Sequence, residues 1–325
     1  TQPNKMLVLD LIKYQDSTGM IVDQVLMNNT PVSFAHQQDK VSITCPSYFS
    51  TDTLVEISLK YHGIPADGLI ISKNKYGKKS FFGDNWPDRA RNWLPCVDHL
   101  SDKASVEFLV KAPSHFQVVA NGIRKAYYPA EEGFHYTHYE SLVPLPTKVM
   151  VIGVGEFAIQ TVGFAGDTKI ETWVYPENRE EGFLDYKPAL EIVNYFNAKI
   201  GPYAFKKLAN VQSKTVYGGM ENSGAIFYYE NSVTGKNKLH SLLAHEIAHQ
   251  WFGDAVSEAD WHHIWLSEGF ATYMESVYMS DFFPEVNLQS RMDRSRSRVT
   301  AYYYRNPNPV VDTTIVNLRR LLSTN

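Results

Sequence analysis

The pentapeptide His245-Glu246-Ile247-Ala248-His249 restricts the fold more than any other stretch of the chain. On a helix, residues four apart lie one turn above each other, so the imidazoles of His245 and His249 project from one face and can hold one metal ion. Glu246 lies beside the pair without competing for the same coordination position, where a general base for a metal-bound water has to be. The implied chemistry is hydrolysis. Leu239, Leu242, Leu243, Ile247 and Trp251 recur at helical spacing and Gly253 supplies a stop, which predicts a largely buried amphipathic helix. The plain alternative, histidines satisfied by hydrogen bonds within a core, is disfavoured because buried polar groups without partners are costly.

A catalytic zinc usually takes three protein ligands and leaves a fourth position open, so the chain must return a further donor. Leu266, Phe270, Tyr273, Met274 and Val277 form a second helical pattern, and Glu268 is the acidic residue early in it. Eighteen residues, 250 to 267, separate it from His249, enough for a turn and a return helix packed beside the first. Glu268 is therefore the expected third ligand. His262 and His263 compete for that role, but neighbours in sequence point in different directions and cannot both face one ion.

Three motifs stand in order: Gly218-Gly219-Met220-Glu221-Asn222, then HEIAHQWFG from His245, then WLSEGFATYM from Trp265. Together they resemble the zinc aminopeptidases of the aminopeptidase N and leukotriene hydrolase family. The likeness runs through most of the chain and includes Asn92-Trp93-Leu94-Pro95-Cys96-Val97-Asp98 in the first half. It implies one Zn²⁺ held by His245, His249 and Glu268, with Glu246 as the catalytic base and Gly218, Gly219, Met220 and Glu221 binding substrate.

A chain of 325 residues has room for two domains, and 44% hydrophobic with 20% charged residues is ordinary for a globular protein. The net charge, 31 minus 35 or −4, gives no basic surface for nucleic acid or an anionic membrane. No apolar run approaches the ~20 residues of a membrane span. Cys45 and Cys96 allow one bridge or two buried thiols, and thiols are the preferred reading. The chain opens at Thr1 without the basic start and apolar core of a signal peptide, as expected of a fragment or a processed form.

Residues 1–160 are rich in short apolar or alternating runs: Leu7 to Leu9, Val41 to Ile43, Leu54 to Leu59, Val106 to Val110 and Val149 to Ile152, separated by Gly, Pro, Asn and Asp clusters. They predict an antiparallel all-β N-terminal domain. Gly153-Val154-Gly155-Glu156-Phe157-Ala158 formally matches a dinucleotide fingerprint, but Ile159 to Tyr175 reads as strands and offers no helix to a pyrophosphate. His135 and His138 are an odd number apart on an apparent strand, hence on opposite faces. Asn28-Asn29-Thr30, followed by Pro31, is read as a turn and not as a glycosylation site.

Residues 161–325 alternate helix and strand: a helix around Leu190 to Phe196 closed by Gly201-Pro202, a strand from Leu208 to Val216, a second run from Ala225 to Tyr229, then the two metal helices. This is a mixed α/β catalytic domain, which the resemblance makes thermolysin-like, so the whole chain is of α+β multidomain class. Gly218 and Gly219 remove side chains where another backbone could approach, which suits an edge strand taking an extended peptide. A carboxylate at Glu221 can pair with a free α-ammonium and so confine cleavage to the first residue; a turn with a solvated Glu is the bland alternative. In the resembled family this motif carries the amine anchor. Many members also have an acidic or amide residue where this chain has Trp86, and Asp84 and Asn85 are both candidates to replace it.

The reaction expected is zinc-assisted removal of the N-terminal residue from peptides that carry a free amine. An endopeptidase with the same site, or a binding module that keeps the fold without turnover, are the competing readings. The resemblance also implies an oxyanion-stabilising tyrosine in a Tyr-x-Lys-Gly context after residues 311–325, whereas Tyr302, Tyr303 and Tyr304 precede that point and lack the context. A chain ending at Asn325, without the family's C-terminal part, is expected to bind zinc, to hydrolyse aminoacyl substrates weakly or undetectably and to self-associate through apolar surface.

Overall fold

Alternation of apolar and polar residues makes the first half of the chain a set of antiparallel sheets. The computed structural model describes residues 6–46, 53–307, 309–318 and 321. Met6–Asp10, Lys40–Thr44 and Phe34–Gln37 form one three-stranded sheet, and Gly19–Met27 pairs with Thr30–Pro31 and Ile57–Ile64 in another. Asn28 and Asn29, at φ 48° and 62°, make the two-residue turn between Met27 and Thr30, a left-handed conformation that asparagine tolerates. Ala104–Pro113, Phe134–Leu145 and Ile123–Pro129 form a third sheet; Leu69–Lys73, Lys79–Gly83, Ile152–Gly155 and Gln117–Ala120 form a fourth. Cys45 and Cys96 are free thiols.

Inside Phe134–Leu145 the alternation is visible residue by residue. His135, Thr137 and Tyr139 are buried, while His138 turns the other way and meets Glu107 at 2.6 Å. The run from Val149 to Ile152 behaves differently from its reading as one strand. Thr147–Val149 is a single helical turn, and the strand begins only at Ile152. Two buried asparagines explain this by replacing strand partners. Asn85 Nδ2 donates to Thr147 O (3.0 Å) and Met150 O (2.6 Å), while Asn121 donates to Val149 O (2.7 Å) and accepts from Val151 N (2.6 Å). The Gly153–Ala158 stretch continues into a further strand and not into a helix N-terminus.

The second half is built on a five-stranded mixed sheet in the order Ala158–Ala165, Thr168–Val174, Lys207–Ser213, Ala225–Tyr229, Gly219–Met220. The three central strands are parallel, and both outer strands are antiparallel to their neighbours. Two helices, α1 (Arg179–Asp185) and α2 (Ala189–Lys199), connect the second strand to the third. They are followed by α3 (His240–His249), α4 (Trp265–Phe282) and α5 (Leu288–Tyr303). Ile192, Val193 and Phe196 of α2 share one core with Leu243, Ile247 and Trp251, which fixes α3 against the sheet. Among the described residues no helix is long and apolar enough to cross a membrane.

Lys207 is fully buried at the start of the central strand, and its Nζ donates to Ala120 O at 2.6 Å. Burial pulls its ammonium down to about 8 from 10.5. Between those values the unfolded chain holds a proton that the folded chain has lost, so stability rises with pH across that window. Below it the buried charge costs roughly 3 kcal/mol. Lys207→Met is therefore expected to stabilise the protein in denaturant titrations at pH 7 and to lose that advantage by pH 10. An equal effect at both values would show that the ammonium is not strained by burial.

Candidate metal centre

Helix α3 presents His245 and His249 on one face, and α4 returns beside it with Glu268 in its first turn. The reversal needs Gly253. Its φ of 126° belongs to the left-handed region, and a Cβ there would lie 2.2 Å from Ser267 Oγ. Ser267 needs that space because its hydroxyl stands 2.9 Å from His249 Nδ1, which also meets Phe252 O at 3.1 Å. With Nδ1 so engaged, Nε2 faces the cleft.

The three donors converge. His245 Nε2 and His249 Nε2 are 3.1 Å apart, and each is 3.6 Å from Glu268 Oε2. Ligands on a tetrahedral zinc at about 2.0–2.2 Å are separated by roughly 3.3–3.6 Å, so the triangle has the size that such an ion needs. Among the described residues these three are the only group so disposed. His262 is paired with Asp260 and Ile315 O instead, and His263 is not in the triangle.

Electrostatics favour a cation here. Burial would raise the Glu268 carboxyl, but the facing His245 and His249 override it and hold it well below the usual carboxylate range. Burial opposes a charged His249, yet Glu268, Glu221 and Glu246 outweigh it and raise the imidazole to about 10. Glu246 is buried and its carboxyl is pushed up to about 7 by that burial, against the pull of His249 and His245. A carboxylate poised there suits proton transfer near neutrality.

Two supporting residues escaped the sequence reading. Glu275 Oε2 lies 3.9 Å from His245 Nδ1, and its other oxygen accepts from Ser241 (2.5 Å) and Arg291 (2.7 Å). It is seven residues beyond Glu268, two helical turns on the same face, and that spacing was a usable signal. Gln250 Nε2 donates to Glu221 O (2.7 Å) and Asp254 (2.8 Å), while its oxygen accepts from Gly224 N (2.8 Å) and Tyr203 (2.9 Å). This one amide ties the end of α3 to the Glu221–Gly224 segment.

The cleft over the triangle has a volume of about 120 Å³ and is walled by Trp86, Tyr217, Gly219, Met220 and Glu221. Gly219–Met220 is the edge strand of the sheet. A Cβ on Gly219 would fall 2.3 Å from Glu246 Oε1, so this glycine makes room for the carboxylate as well as thinning the edge. Gly218 is open, with only Leu242 nearby at 3.8 Å. Met220 and Glu221 are buried. Trp86 stacks edge-on against Tyr217 and Trp261. Asp84 and Asn85 do not reach the cleft, because Asp84 is ion-paired with Arg89 while Asn85 holds Trp93 Nε1 (2.8 Å) and two carbonyls. Tyr302, Tyr303 and Tyr304 are exposed at the end of α5 and do not line it.

A helix bearing two histidines and a glutamate, answered by a glutamate on its neighbour across a mixed sheet's edge, is the architecture of the thermolysin-like metallopeptidases. Comparison with known proteins narrows this. The chain matches the Peptidase M1 N-terminal domain over residues 2–149 and the Peptidase family M1 domain over residues 186–317, and it belongs to peptidase family M1. It is 27% identical to Tricorn protease-interacting factor F2 of Thermoplasma acidophilum over 87% of this chain and 36% of that one. It is 26% identical to leucyl aminopeptidase of Saccharolobus solfataricus over 84% and 35%, and 29% identical to mouse aminopeptidase N over 62% and 23%. The chain thus spans roughly a third of the length of the first two relatives. The M1 zinc metallopeptidase from Deinococcus radiodurans shares the fold, with TM-score 0.76 and 24% identity over 99% of this chain and 71% of that one. A variant of that enzyme bound to a Tyr-Ser-Ala substrate aligns with TM-score 0.79 and 23% identity, over 99% and 72%.

Proposed function

We propose that the chain carries the catalytic centre of a zinc aminopeptidase, which removes the first residue from peptides with a free N-terminus. The observation that carries this reading is the triangle of His245, His249 and Glu268, with Glu246 and Glu221 in the same small cleft. When bound there, zinc supplies Lewis-acid polarisation of the scissile carbonyl and lowers the pKa of water toward ~7. Glu246 accepts the proton of the attacking water as the C–O bond forms, then delivers it to the departing amine as the C–N bond breaks. The edge strand at Gly218, Gly219 and Met220 takes the extended substrate, and Glu221 pairs with its α-ammonium. Names of the relatives support this: leucyl aminopeptidase and aminopeptidase N are among them.

Purified protein should hold about one zinc per chain, and a chelator should remove metal and turnover together. Glu221→Gln is expected to weaken cleavage of free-amine peptides by roughly 10- to 100-fold while leaving zinc in place, because it removes a charged partner and no ligand. Equal cleavage of free and N-acetylated peptides by the unmodified protein would favour the endopeptidase alternative. A pure binding module is the weaker reading, since Glu246 and the three candidate ligands His245, His249 and Glu268 are all kept in one cleft.

Two smaller proposals accompany it. We divide the chain into domains 1–160 and 161–325, with the strand Ala158–Ala165 straddling the division and pairing into the second sheet. Trp265, Leu266, Phe270 and Tyr273 lie exposed along α4, which supports self-association. Sedimentation across a concentration series tests it.

A further inference from the structure

Lys148 has no counterpart in the chemistry described so far. Its side chain is completely enclosed, on the helical turn Thr147–Val149 that joins the strand ending at Leu145 to the one beginning at Ile152. That turn is pinned on both sides of the lysine: Asn85 and Asn121 hold the carbonyls of Thr147 and Val149, and the Thr147 hydroxyl donates to Asp98 at 2.6 Å. The ammonium is thus delivered by a fixed backbone. Its Nζ stands 3.5 Å from Glu221 Oε1 and 3.9 Å from Glu258 Oε2, with the Trp261 ring centroid at 5.9 Å. Within the described residues, Lys148 Nζ, Glu221 Oε1 and both Glu258 oxygens make no hydrogen bond. Only charge attraction holds this group together. Burial works against the charged lysine, but Glu221, Glu258, Asp254 and Glu268 outweigh it and keep it protonated.

A fully enclosed lysine is expensive and needs a reason. Neutralising acids is one, but Glu258 does not line the cleft, whereas Glu221 does. From the fixed turn, the 3.5 Å approach to Glu221 and the enclosure of the whole side chain, we propose that Lys148 is the positioning residue of the amine anchor. It engages Glu221 Oε1 from behind the cleft, locks that carboxylate in one orientation and leaves Oε2 for the ammonium of an incoming peptide. The inference rests on the aminopeptidase reading above.

The test uses the zinc-loaded, full-length protein and measures a free-amine peptide beside its N-acetylated counterpart. Lys148→Met is expected to raise KM for the free-amine peptide by roughly tenfold or more, with kcat and zinc content nearly unchanged. In a Glu221→Gln background the same substitution should add nothing, because its effect passes through Glu221. Should Lys148→Met fail to fold, Lys148→Arg and the charge-balanced pair Lys148→Met with Glu258→Gln give the same comparison: the first keeps low KM and the second raises it. If the unmodified protein prefers free amines but Lys148→Met leaves KM alone, or lowers kcat for both peptides equally, the positioning role is overturned while the aminopeptidase reading stands. If the unmodified protein shows no preference, both fall.

Discussion

Glu246→Gln should leave the protein folded with about one zinc per chain and lower turnover by ~10²–10⁴-fold, the range for loss of a positioned general base. The amide keeps the size and much of the hydrogen bonding of the carboxylate, so the His245, His249 and Glu268 triangle is untouched. What it loses is the ability to accept a proton. Burial pushes the Glu246 carboxyl up to about 7, within reach of its ionised form near neutrality, and an ionised carboxylate accepts a proton where an amide does not. Zinc by atomic absorption and kcat/KM on an aminoacyl substrate are the two measurements. Turnover within a few-fold of the unmodified protein would remove Glu246 from the mechanism.

Gly219→Ala is the second large effect, and it comes from outside the metal helices. The backbone at Gly219 has an ordinary negative φ, so alanine is not strained there for conformational reasons. The obstacle is spatial: the added methyl would stand 2.3–2.5 Å from Oε1, Cδ and Cγ of Glu246. One of the two must move, and the side chain is softer than a strand that pairs with Tyr228. A displacement near 1 Å of a catalytic group costs on the order of 10² in rate. We therefore expect zinc content and melting temperature close to the parent value with kcat down about a hundredfold. Retained activity would show that the carboxylate works from another rotamer.

The metal helices were legible because their signal is local. Two histidines four apart, apolar residues at helical spacing and a glutamate early in a second pattern carry their geometry within a few turns of chain. The same locality would have disclosed Glu275, two turns past Glu268. Features that depend on distant residues were not legible. Nothing near Val149 announces that Asn85 and Asn121 take over the hydrogen bonds of a strand. Nothing near Gly219 says that its missing side chain makes room for Glu246, and the reading of the double glycine as a thin edge did not include that use. Trp86 could be placed in the cleft only once the sheet brought it against Tyr217 and Trp261, which also removed Asp84 and Asn85 from consideration.

Gln250 gives the centre a ruler. Its single amide fixes the last turn of α3, which carries the proposed metal ligand His249, to the backbone of Glu221. If Glu221 grips the peptide's first nitrogen and the metal faces its first carbonyl, then the distance between those two points decides how many residues leave per cut. That distance is set by hydrogen bonds a few ångströms long within one joint, since the same amide also holds Gly224 N and Asp254. On the proposed function, that joint is what would keep the count of residues removed at one.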